Sequence, residues 1–208
     1  MPLQYELKRL SRHKRVFTSS DVNNASCYEI ETRSLKDAIL SRPDILIKES
    51  HGSQPPQTIS SITFPSGLDE DNTFRPQISL KYTSENQHEV RLRTTAKSSQ
   101  WSARVGGSSC VWDLSYEPFT LTLRPADSGE VLAVFTLRAR GEEGVDGDIG
   151  SLCITSETGN EEYKKEIIST LAGVFVYWER AGKLVPHSTG GVGDGDANFY
   201  RYAPSGVH

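Results

Sequence analysis

The chain has 208 residues, enough for one domain with a substantial core. Its hydrophobic content of 36%, with 17 Gly and 10 Pro, favours a turn-rich β-protein over a helical bundle. A net charge of −4 argues against a nucleic-acid binder, whose domains are usually basic.

The opening, MPLQYELKRLSRHKRVF, lacks the apolar run of a secretory signal, which points to a reducing, cytoplasmic setting. Cys27, Cys110 and Cys153 fit that setting: they are three in number, form no CxxC pair and lie in apolar runs, so they read as buried thiols. Charge is unevenly spread. Residues 1–20 carry Lys8, Arg9, Arg12, Lys14 and Arg15 against Glu6, whereas residues 141–180 are rich in Asp and Glu.

Residues 6–32 read as a first strand ending near Phe17, a turn at SSDVNN and a second strand; a helix over 3–15 is the competing reading. From Tyr28 onward, hydrophobicity alternates with period two between turn signals, the mark of a sandwich or barrel. CYEIETR sets Tyr28 and Ile30 against Glu29 and Glu31, DILIKES groups Ile45 with Ile47, and TISSITF alternates Ile59 with polar neighbours. ISLKY places Ile78, Leu80 and Tyr82 opposite Lys81. In HEVRLRTTAK, Val90 and Leu92 face in while Glu89, Arg91 and Arg93 face out. QWSARV, CVWDLSY, FTLTLRP, EVLAVFTLRAR and IGSLCIT continue the series. FTLTLRP and EVLAVFTLRAR form a hairpin through PADSG, with Phe119, Leu121 and Leu123 answered by Val131, Ala133, Phe135 and Leu137. Residues 50–57 and 66–77 read as loops, and the Gly-rich tail 186–208 as a flexible extension of a domain covering 1–185.

One helix is predicted, over about 160–181. Thr158 and Glu161 have capping-box spacing, with Asn160 as a rival N-cap. Glu161 and Glu162 suit the positive end of the dipole, Arg180 and Lys183 the negative end, and Gly182 and Pro186 close it. Its apolar block, Ile167 to Trp178, has no polar flank, so the helix is enclosed. At twelve residues the block falls short of the ~20 that a transmembrane helix needs. The strands are the abundant material to enclose it. The expected fold is therefore a closed antiparallel β-barrel of about 10–12 strands around a hydrophobic C-terminal helix.

RVFTSSDVNNASCYEIET, SSCVWDL, GEVLAVFTL and EIISTLAGVFVYWERAG, in that order, resemble the tubby C-terminal-like superfamily, which includes the tubby proteins, phospholipid scramblases and plant LURP-one-related proteins. The likeness covers about residues 5–183, and the ending is similar to that of small fungal members. It implies a non-enzymatic binding or scaffold role, with phosphoinositides or other anionic phospholipids as ligand. The phosphoinositide motif of tubby proteins has no residue-by-residue counterpart here, nor has the palmitoylated cysteine cluster of scramblases.

Candidate phosphate-binding residues are Arg12, Lys14 and Arg15 in the basic N-terminal run, with Arg91, Arg93 and Lys81 as a fork on the barrel exterior. The bland alternatives are a solvated strand and an ordinary barrel surface. EEGVDGD (142–148) lacks EF-hand order and reads as an acidic turn, so no metal or cofactor is expected. No G-x-S-x-G elbow exists, His13, His51, His88, His187 and His208 lie in polar or terminal text, and GGSSC reads as a turn; a catalytic role is not expected. A protein-interaction module acting through loops or tail is the alternative function.

Overall fold

The structure, a computed structural model, describes residues 2–20, 26–33, 43–52, 54–64, 77–83, 88–94, 99–116, 118–138, 147–155 and 160–180. Among them twelve antiparallel strands form one closed barrel: β1 (Leu3–Ser11), β2 (Lys14–Ser19), β3 (Ser26–Thr32), β4 (Ile45–His51), β5 (Gln57–Thr63), β6 (Gln77–Tyr82), β7 (Glu89–Thr94), β8 (Gln100–Val105), β9 (Ser108–Tyr116), β10 (Phe119–Pro125), β11 (Ala133–Leu137) and β12 (Asp148–Ile154). Each strand pairs with its sequence neighbours, and β12 closes the ring on β1 through Tyr5↔Leu152 and Leu3↔Ile154. A ring of this kind leaves no unpaired edge.

Alternation writes the inner wall. Tyr28 and Ile30, Ile45 and Ile47, Ile78 and Leu80, Leu121 and Leu123, and Ala133 and Phe135 are all buried. Helix α1 (Glu161–Arg180) threads this wall, and every residue from Ile167 to Val176 is buried. Its N-cap is Asn160, whose side-chain oxygen accepts from the Glu162 amide at 3.0 Å. The rival Thr158, the expected C-cap Gly182, Pro186 and the tail 186–208 lie outside the described residues, as do 142–146 of the acidic turn.

Contacts reach the helix from around the ring. Ser169 Oγ meets Ser60 Oγ of β5 at 2.8 Å, and Thr170 Oγ1 accepts from the Trp112 indole of β9 at 3.0 Å. Phe175 meets Phe135 of β11 edge-on, and Tyr177 meets Trp101 of β8 in the same way. Near the first turns Lys165 pairs with the buried Glu49 of β4 at 3.0 Å, and Glu166 accepts from the Gly106 amide. Gly106 and Gly107 hold positive φ in the two-residue β8–β9 turn, as hairpin geometry demands. At the other end Glu179 accepts from Arg9 of β1 and Arg15 of β2, and Arg180 pairs with Asp44 at 3.1 Å while lying over the Phe64 ring.

Four local expectations need correcting. The first predicted strand is two, because the chain reverses at Arg12–His13 and β1 pairs with β2 in register Leu7↔Phe17. In β5 it is Ser60, with Ile62, that is fully buried, while Ile59, at the bulge opposite Ile47/Lys48, is half-buried against the core. Before β11 it is Leu132 that is buried, while Val131 is half-buried. Only Cys110 is buried; Cys27 and Cys153 are half-buried, and all three are free thiols. Trp101, Trp112 and Trp178 are core residues.

Candidate functional site

The six candidate cations fall into different environments. Arg15 shares the inward face of β2 with Phe17, and its side chain is 6% exposed. Its Nη2 donates to both carboxylate oxygens of Glu179, at 2.7 and 2.6 Å, so it clasps the helix inside the barrel and does not join an exterior phosphate site. Lys14 faces outward but pairs with Glu29 at 2.9 Å. Arg12 is exposed in the β1–β2 turn.

The flank around these residues is closely compensated. Lys48 pairs with Glu31, Lys8 with Asp148, and Arg138 bridges Glu6 at 2.7 Å and Asp148 at 2.8 Å. The Lys48 ammonium beside Glu31 holds that carboxyl below its ordinary range. Pairing of this density removes most of the field that an anionic surface would meet.

The other three candidates stand on a different flank, since β2 and β7 are five places apart in a ring of twelve. Lys81, Arg91 and Arg93 project outward from β6 and β7 and are exposed. Ladder pairing extends the face sideways: Arg93 sits opposite Ser102 of β8, Ser102 opposite Val111 of β9, and Val111 opposite Arg124 of β10. Arg104, two residues from Ser102 on the same face of β8, is also exposed. With strands ~4.8 Å apart, the row from Arg93 to Arg124 spans about 14 Å at the backbone. Across the outward faces of β6–β10 the charged residues are therefore Lys81, Arg91, Arg93, Arg104 and Arg124 against Glu89 and Asp113.

The compensation here is incomplete. Among the described residues, Arg93, Arg104 and Arg124 pair with no carboxylate; the Arg104 Nε donates to the Gly107 carbonyl at 3.1 Å. Glu89 is near both Lys81 (3.7 Å) and Arg91 (3.8 Å). The Ser79 hydroxyl, then Lys81 and Arg91, hold its carboxyl below the ordinary range. The face thus carries a surplus of positive charge on a rigid sheet, interleaved with the hydroxyls of Ser79 and Ser102 and the amide of Gln77. Such a set can hold phosphate oxygens.

Arg104 and Arg124 escaped the sequence reading, although QWSARV and FTLTLRP were both visible as strands. Had consecutive strands been taken as spatial neighbours, alternation would have placed both residues on the outward face that carries Arg93. Among the described residues, no helix is long and apolar enough to cross a membrane, and no group of three His, Cys, Asp or Glu side chains is placed to hold a metal ion. Comparison with family models, with curated proteins and with solved structures finds no match to this chain.

Proposed function

We propose that this barrel is a non-enzymatic binding module for the phosphate-bearing headgroups of anionic phospholipids, phosphoinositides among them, and that it docks peripherally on a cytoplasmic membrane surface. The observation that carries this reading is the outward face of β6–β10, where five cations meet two carboxylates. The sequence likeness to the tubby C-terminal-like superfamily, and to its small fungal members, supports the same reading. Each Lys or Arg near an anionic membrane contributes about 1 kcal/mol, so a surplus of three favours binding by about 3 kcal/mol at moderate ionic strength. Added salt weakens it, because exposed charges are screened over ~10 Å at 0.1 M.

Sedimentation with phosphatidylcholine vesicles, with and without an anionic lipid, tests this. The protein is expected to pellet only with the anionic vesicles, and an Arg91→Glu/Arg93→Glu variant to stay in the supernatant with its fold intact. Equal, negligible pelleting with both vesicle types at low salt would sink the reading.

One observation favours a protein-binding role instead. Leu10 and Tyr116 are both 59% exposed at strand ends on the side of the barrel where the helix ends, and Tyr116 packs edge-on against Phe119. A partner captured through that rim would be lost on Tyr116→Ser and kept by the Arg91→Glu/Arg93→Glu variant. One working through the tail would be lost on truncation at Pro186, which leaves barrel-mediated lipid binding unchanged.

A further inference from the structure

Ser79, Lys81 and Arg91 surround a single carboxylate. The Ser79 hydroxyl donates to Glu89 Oε1 at 2.7 Å. Lys81 Nζ lies 3.7 Å from Oε2, and Arg91 Nε lies 3.8 Å from Oε1. The ladder sets this arrangement, pairing Lys81 with Glu89 and Ser79 with Arg91 across β6 and β7.

A hydroxyl, an ammonium and a guanidinium around one oxyanion make a donor set suited to a phosphate group. Glu89 satisfies that set only in part. Both cation distances exceed the ~2.7–2.9 Å of a charge-assisted hydrogen bond, so the carboxylate engages the hydroxyl directly and the cations through space. Three ammonium protons and a five-donor guanidinium therefore keep capacity that a two-oxygen, singly charged group leaves unused. A phosphomonoester offers three oxygens and a charge of about −1.5 to −2. The neighbouring cation Arg93 is exposed on the same face. It stands two residues along the strand, about 7 Å from Arg91.

We infer that Ser79, Lys81 and Arg91 form a phosphomonoester seat that Glu89 occupies in the free protein and vacates when the ligand binds. The inference rests on the lipid-headgroup reading, and it assigns the acid on the basic face a part in binding. Glu89 keeps the two cations positioned between ligands, and its carboxylate competes with weaker anions for the same donors.

A double-mutant cycle with two probes tests it: phosphatidylcholine vesicles carrying phosphatidic acid, and inorganic phosphate alone. Glu89→Gln keeps the shape, removes the competing charge and lies on an exposed strand position, so the fold survives; thermal melting checks this. It is expected to tighten binding of both probes by about fivefold or more. Glu130→Gln, which removes an equal charge from the exposed β10–β11 turn, is expected to change it less than about twofold. The gain should vanish in an Arg91→Ala background, because the donors that Glu89 withholds are then gone.

A gain equal to that of Glu130→Gln, or one that persists without Arg91, overturns the seat and leaves only net charge. A gain with inorganic phosphate but not with vesicles keeps the seat and assigns it to soluble phosphates, refuting the membrane reading. Vesicle binding that is unchanged in Arg91→Glu/Arg93→Glu refutes the membrane reading whatever Glu89→Gln does.

Discussion

Gly150 and Gly173 offer the same chemical change, Gly→Ala, with opposite expected outcomes. Gly150 lies on β12 between Leu7 of β1 and Leu137 of β11, where the β1–β12 register shifts at Leu7/Lys8. A Cβ there would fall 2.3 Å from the Thr136 carbonyl oxygen, 2.9 Å from Phe135 Cζ and 3.2 Å from Leu137 Cα. Two of those atoms are backbone, so no rotamer relieves the clash and β11 must separate from β12. Overpacking costs about 1–3 kcal/mol, and each ladder bond lost adds about 1. With two ladder bonds lost, the total for Gly150→Ala is about 3–5 kcal/mol. At Gly173 in the helix, a Cβ would meet Ile78 Cγ2 at 3.4 Å and Ile62 Cδ1 at 3.5 Å, which is ordinary contact. Alanine also gains about 1 kcal/mol over glycine in a helix interior. For a domain of this size 1 kcal/mol moves Tm by about 2–4 °C, so Gly150→Ala should melt about 6–20 °C lower, and Gly173→Ala between unchanged and about 4 °C higher. Thermal and urea unfolding followed by circular dichroism measure both. A Gly150→Ala variant within about 0.5 kcal/mol of wild type would refute the close approach of β11 and β12.

Two further outcomes concern the interior. Thr170→Val strips the Trp112 indole of its acceptor while keeping side-chain shape, and should cost about 1–3 kcal/mol in urea unfolding, with Thr170→Ser recovering most of it. Burial pushes the hydroxyls of Tyr5, Tyr28, Tyr82 and Tyr177 above their ordinary range. The folded state therefore favours their neutral form: that stability is complete below the unfolded value of about 10 and is lost as pH rises beyond it. Tyrosinate absorbance from these residues should appear in the same cooperative step as loss of circular dichroism, and gradual ionisation with the barrel intact would contradict the burial.

Much of the barrel is legible in the sequence because an inward face filled with Ile, Leu, Tyr and Phe at every second position needs no partner to be recognised. The helix is legible for the opposite reason: Ile167 to Trp178 has no polar side, so a wall must surround it. What alternation conceals is the polar residue that points inward. Arg15, Glu49 and Ser60 read as exterior in isolation, yet each is buried, and each partner lies on the distant helix: Glu179, Lys165 and Ser169. The β1–β2 turn is hidden because Arg12 and His13 carry none of the Gly, Asn or Asp signals that mark tight hairpins. The candidate site divides in the same way. Residue type identifies cations, but only the ladder shows that Lys14 has its own carboxylate while Arg93 has none among the described residues.

Filling the barrel with a helix also decides where recognition can occur. Links at both ends of α1, to Glu49 and Gly106 near its start and to Arg9, Arg15 and Asp44 near its end, fix its register against the wall. The interior between them is occupied by close-packed side chains such as Phe175 against Phe135 and Tyr177 against Trp101. Ring closure leaves the sheet no edge to extend by strand addition. Recognition by the described residues is then confined to the outward faces and the rims. Of the outward faces, β1–β4 presents cations already matched to carboxylates, whereas β6–β10 presents cations in excess on strands held from behind by a packed core. Backbone positions fixed in this way need no ordering when a ligand arrives, so less of the Coulombic gain is lost to entropy than with the same arginines on a loop.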